Sequence, residues 1–129
     1  RQAMTIRRFE VTVTTASDGT ATAYTPYLSG YIHSIQYVKT DYADGVDFTI
    51  TAEANGQAVW AESDVNAAVT KAPRLATHTV AGAAALYASG GVAVLDRIAV
   101  SRDRIKIVLA QGGNAKTGKF VILVDDNSF

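Results

Sequence analysis

The fold is decided by Arg8-Phe9-Glu10-Val11-Thr12-Val13-Thr14, in which every odd position is apolar and every even position is polar or charged. This period-two alternation puts successive side chains on opposite faces of an extended strand. Such a strand buries one face and leaves the other in water, as in antiparallel sheets. The Asp18-Gly19 turn that follows is typical of a β-hairpin and predicts a return strand from Thr20 to Thr25, ending before Pro26.

Further stretches rich in β-branched and aromatic residues predict strands over residues 27–40, 46–53, 57–61, 92–100, 104–110 and 119–124. Apolar residues on both faces of 27–40 predict an interior strand covered on each side, with a bulge or bend at Gly30. Seven or eight short strands separated by turns are typical of a β-sandwich or a barrel. We predict an all-β fold, an antiparallel β-sandwich of jelly-roll or immunoglobulin-like type.

The stretch from Glu62 to Gly91 has the weakest pattern, and we predict a long ordered loop with at most one short helix. Asp64 is a candidate cap for a helical turn through Ala68, and the alanine-rich 81–88 is a candidate for two helical turns. Loops of this length in compact domains commonly carry function or contact a partner. We expect residues 1–4 to be an N-terminal extension and residues 5–129 to form a single β-sandwich domain.

The composition narrows the classes of function. Twelve basic residues balance twelve acidic ones, so no net field attracts nucleic acid or an anionic membrane, and we predict neither as a partner. The absence of cysteine excludes disulfides, cysteine-ligated zinc, iron–sulfur clusters and thiol nucleophiles. No stretch reaches the roughly 20 apolar residues of a membrane helix.

Asp41, Asp44 and Asp47 surround Gly45 and are the nearest approach to a metal site. Three carboxylates on one turn supply part of a calcium shell, but the spacing is not that of an EF-hand, and aspartate is common in ordinary turns. The two histidines, His33 and His78, do not form a ligand-spaced pair, and no nucleophile motif is present. We therefore predict no catalytic residue, no metal and no cofactor, and leave calcium binding by the aspartate turn open.

Residues 29–37, 44–51 and 96–100, followed by 103–108 and the Gly112-Gly113 hairpin, resemble segments of small tailed-bacteriophage structural proteins. The resemblance extends from Thr5 to Val124 and consists of strand patterns and turns. It implies a non-enzymatic virion component and transfers no catalytic residue.

On that resemblance we expect a virion protein that assembles in multiple copies on the capsid, as a decoration protein, or at the head–tail junction. Its expected partners are capsid or connector proteins and further copies of itself, as a homo-oligomer. The alternative is a carbohydrate-binding adhesin module on a virion surface, with Trp60 or exposed tyrosines stacking on sugars beside Asp47 or Gln57. Eight residues are predicted as partner contacts: Arg7, Arg8, Tyr24, Tyr27, Asp64, Arg74, Tyr87 and Arg102.

Overall fold

The computed structural model describes residues 5–126, so the predicted extension 1–4 lies outside the described residues. The described chain forms strands and turns, with no helix. The strands are β1 (Thr5–Thr14), β2 (Ala21–Tyr24), β3 (Leu28–Val38), β4 (Val46–Ala52), β5 (Ala58–Val65), β6 (Val69–Lys71), β7 (Leu75–Ala76), β8 (Leu95–Asp96), β9 (Ile98–Asp103), β10 (Ile105–Ala110) and β11 (Thr117–Asp126).

Most of the strands belong to two antiparallel sheets. The first sheet has the order β1-β11-β3-β6, with β9 also beside β3, and the second has the order β2-β10-β4-β5. Thus β1 pairs with β11, β2 with β10, β3 with β6 and β4 with β5. Among these eight strands the first pairs with the last, the second with the second-last, and so on inward along the chain. This is the strand order of a jelly roll, which has eight strands in two sheets. The prediction of an antiparallel β-sandwich is confirmed, and the strand order selects the jelly roll over the immunoglobulin-like alternative.

The core lies between the two sheets and is filled from both. The alternation in β1 buries Val11 and Val13, as the sequence predicted, and β10 contributes the fully buried Ile105, Ile107 and Leu109. Three rings join the sheets. The Tyr37 and Phe120 rings of the first sheet lie 5.3 Å apart, and both pack on Phe48 of the second. Apolar burial of this extent is the main stabilising contribution of the fold.

In the interior strand β3, the alternation of buried and exposed residues shifts by one residue half-way along the strand. Its register with β11 shifts at His33, so Ile32 and Ile35 both face the core although they lie three residues apart. The prediction that β3 is interior is confirmed. The prediction that it is covered on both faces is wrong, because a β-bulge moves the apolar residues from one alternation to the other. A second register shift lies between Leu28 and Gly30, as predicted for that glycine.

Two candidate helical turns in the middle of the chain are not formed in the described residues. Asp64 does not cap a helix; it lies in β5, and its backbone N–H donates to the Asp47 carboxylate at 2.9 Å. Residues 81–88 are not helical, because they take part in short antiparallel bridges and turns. The strand predicted over 92–100 is interrupted at Arg97, with β8 before it and β9 after it.

Replacing Tyr37 by phenylalanine is expected to stabilise the protein by about 1 kcal/mol at neutral pH, because its buried hydroxyl has no hydrogen-bond partner among residues 5–126. Burial also raises the pKa of the Tyr37 hydroxyl to about 12. This hydroxyl therefore ionises near pH 10 in the unfolded chain but stays protonated to higher pH in the folded chain. Wild-type stability therefore falls as pH rises from 10 to 12, and the advantage of Tyr37→Phe should widen there. Urea unfolding at pH 7 and pH 11 measures both effects.

The matched control is Tyr42→Phe. The Tyr42 hydroxyl is also buried but donates a hydrogen bond to the Val13 carbonyl oxygen, so its removal should cost about 1 kcal/mol at pH 7. Equal effects of the two substitutions would contradict this assignment of the two hydroxyl groups.

Candidate interaction surface

A separate arm, residues 75–96, leaves the first sheet between β6 and β9. Its root is the two-stranded sheet of β7 and β8, in which Leu75 pairs with Asp96. Beyond the root, Thr77 N–H donates to the Val94 carbonyl, Ala85 N–H to Thr77, and Val94 N–H to Ala85. Two tight hairpins therefore branch from one junction, one turning at residues 79–83 and the other at 87–92.

No residue of the arm is buried. Val80 is fully exposed, and Tyr87 and Val92 are 76% and 74% exposed. Leu75, Leu86 and Leu95 are exposed as well. From Leu75 to Leu95 the chain contains no Asp, Glu, Lys or Arg. A contiguous exposed apolar segment of this kind commonly marks an interaction site.

Two arginines fix the arm to the sandwich. Arg74 donates to the carbonyl oxygens of Ile32 and His33, which lie where β3 passes from β9 to β6. On the other side of the root, Arg97 donates to the buried Asp125 carboxylate at 2.6 Å and covers the Tyr31 ring at 4.4 Å. These contacts set the direction in which the arm leaves the sheet.

The structure brings three of the predicted contact residues together. Arg7, Tyr27 and Arg102 line an open groove of about 660 Å³ at one end of the sandwich. Phe9 and Leu28 supply apolar lining, and Arg7 pairs with the buried Asp126 at 3.0 Å. Tyr27 is 66% exposed.

Arg104 links Tyr24 to this groove, because its guanidinium contacts both Tyr24 and the groove residue Tyr27. The Arg104 guanidinium lies 3.9 Å from the Tyr24 ring centroid and 5.4 Å from that of Tyr27. The same group makes a two-point contact with Glu53 at 2.5 and 2.9 Å, and its hydrogen bonds lower the pKa of that carboxyl. The Arg104 cation therefore fixes both tyrosine rings, an arrangement typical of cation–π contacts.

The remaining predicted contacts lie elsewhere. Arg74 directly precedes the root of the arm, and Tyr87 lies in one of its hairpins. Arg8 pairs with its neighbour Glu10 at 3.2 Å on an exposed part of β1. Asp64 is exposed near the end of β5. The eight residues thus fall on several surfaces, and the structure adds the specific contacts of Arg97 and Arg104.

Each of the three carboxylates of the aspartate turn has a different partner. Asp41 accepts the Thr117 N–H at 2.6 Å, Asp44 pairs with Lys39, and Asp47 accepts the Asp64 N–H. Within residues 5–126 no group of three or more potential metal-ligating side chains occurs. His33 and His78 are both exposed.

Trp60, the predicted sugar-stacking residue, is partly buried. Its ring meets the Phe48 ring edge-on at 4.7 Å and packs against the core. The Gln57 side-chain amide donates to the Ala58 carbonyl, and Asp47 is occupied by the Asp64 amide.

Comparison of the chain with protein-family models, with curated proteins and with solved structures finds no match. No helix in the described part of the chain is long and apolar enough to cross a membrane. The inference about function therefore depends on the fold and on the surfaces described above.

Proposed function

We propose that the protein is a non-enzymatic structural component of a tailed-bacteriophage virion. It assembles in multiple copies, either on the capsid as a decoration protein or at the head–tail junction. The observation that carries the proposal is the arm, which exposes apolar residues and places none of its residues in the core.

The fold is consistent with this function. Jelly rolls occur in viral capsid proteins, in lectins and in cupins. The interior of this one is occupied by aliphatic and aromatic side chains such as Ile50, Ile107 and Phe120, so the surface carries the function. A protein that acts through its surface in a symmetric assembly needs a rigid core and an exposed segment that contacts its neighbours.

The arm fits such a role because its energetics favour contact. The apolar surfaces of Val80, Tyr87 and Val92 are exposed to water, which is unfavourable. Covering each of them by a neighbour contributes favourably to the free energy of binding. Tyrosine is also enriched among residues that dominate binding energy. Arg74 and Arg97 fix the root, which reduces the conformational entropy that the arm loses on binding.

The carbohydrate-binding alternative rests on the exposed tyrosines rather than on Trp60, because the Trp60 ring packs on Phe48. Tyr24 and Tyr27 are exposed, but the Arg104 guanidinium lies over both rings.

The proposal predicts that the chain is part of mature particles. DNA-filled particles induced from a strain that carries the gene, purified by density and analysed by quantitative mass spectrometry, should contain it in multiple copies. A copy number in the hundreds indicates shell decoration, and about six or twelve indicate a closed ring at the junction. Purified infectious particles that lack the chain would contradict the proposal.

A further inference from the structure

We propose that the arms of neighbouring copies pack against one another around a rotation axis, so that the ligand of each arm is the arm of a second copy. The inference deepens the proposed function and rests on it. It assigns a specific role, self-association, to the surface formed by Val80, Leu86, Tyr87 and Val92, which the jelly-roll core does not use.

The charge pattern of the arm favours a second copy as the partner. At a rotation axis each residue approaches its own copies, so any charged residue there meets the same charge, which is unfavourable. The stretch from Leu75 to Leu95 contains no Asp, Glu, Lys or Arg, although such residues make up 19% of the chain. A segment that recognises a different charged surface would instead be expected to carry complementary charge.

The backbone of the arm is also consistent with packing against a second copy. Main-chain hydrogen bonds within the arm join residues 77 and 94, 77 and 85, 79 and 83, and 87 and 92. These hydrogen bonds hold the two hairpins in fixed shapes, from which the exposed side chains project. Alanines at 81, 83, 84, 85 and 88 are small enough for the backbones of two arms to approach closely.

The fixed root is also required for this geometry. Arms that meet at an axis must leave their sandwiches in one direction, and the contacts of Arg74 with β3 and of Arg97 with Asp125 supply that direction. A segment free to adopt many directions would lose more entropy on packing against its copy.

Single-cysteine cross-linking tests the contact, because the chain has no cysteine of its own. A disulfide between identical positions forms only where two copies of the residue approach within about 7 Å between Cα atoms, as they do near a rotation axis. The variants are Val80→Cys and Tyr87→Cys, one on each hairpin of the arm, made in the full chain. The control is Val108→Cys, a partly exposed position of β10 in the second sheet.

Under mild oxidation we expect at least one arm variant to form disulfide dimers at least about tenfold faster than Val108→Cys, since packing raises the local concentration of the paired thiols. Equal rates in all three variants would overturn the inference. So would flotation of the full chain with phosphatidylcholine vesicles while arm and control cysteines cross-link equally, which would assign the arm to lipid. Presence in particles without arm cross-linking contradicts this inference alone, whereas arm cross-linking with absence from particles contradicts the proposed function alone.

Discussion

Gly30→Ala is expected to destabilise the fold by about 4 kcal/mol or more, which is a large part of the stability of a domain of this size. Gly30 has a φ of +144°, a conformation that L side chains rarely adopt. A Cβ atom there would lie 2.2 Å from the Asp125 carbonyl oxygen, and this atom belongs to the backbone of β11. The two central strands of the first sheet would have to separate, and the paired Arg97 and Asp125 would move with them. Urea unfolding followed by circular dichroism measures the loss.

The control for this prediction is Gly56→Ala in the β4–β5 turn. Gly56 also has a positive φ, +72°, but a Cβ there would meet nothing within 4 Å. It should cost only about 1 kcal/mol, the price of the backbone conformation alone. If Gly30→Ala were as stable as Gly56→Ala, the close approach of β3 to β11 would be wrong.

Excising the arm is expected to leave the sandwich folded and at least as stable as the full chain, and to remove self-association. The variant replaces residues 76–95 by Asn-Gly, which joins Leu75 to Asp96 through a two-residue hairpin turn. No residue of the excised segment is buried, so the loss of core contacts should be below about 1 kcal/mol. The shorter connection also lowers the entropy cost of closing the loop.

Thermal and urea unfolding of the excised variant and the full chain test the first part of this prediction. Arg74 and Arg97 remain in the variant, so the contacts at the root are retained as an internal reference. A large drop in the free energy of unfolding would mean that the arm belongs to the folding unit, and its assignment as a contact surface would lose its basis.

Alternation made much of the sandwich predictable. The patterns in residues 8–14, 46–53 and 104–110 correspond to β1, β4 and β10, because one face of each strand is buried and the other is solvated. Aspartate and asparagine before glycine marked turns at Gly19 and Gly56, where the backbone has positive φ. Strand order was not predictable, because pairing across the jelly roll joins residues more than 100 positions apart.

The bulge in β3 and the hairpin structure of the arm were not predictable from the sequence, although the loop from residue 62 to 91 was expected to contact a partner. A bulge at His33 shifts the alternation by one residue, so the sequence has the appearance of a strand that is apolar on both faces. In the arm, alanine-rich 81–88 has high helix propensity, but the segment is short and glycines lie on either side of it. Short antiparallel hydrogen bonds prevail there over local preference. The contacts of Arg97 and Arg104 were not predictable from the sequence, because their partners, Asp125 and Glu53, come from other strands or loops.

Sedimentation equilibrium of the full chain beside the arm-excised variant tests the central claim, that this jelly roll acts by assembling through its arm. The full chain should sediment as a multiple of its 13.6 kDa monomer, and the excised variant should sediment as a monomer under the same conditions. A full chain that remains at 13.6 kDa, or an excised variant that forms the same oligomer, would contradict the account.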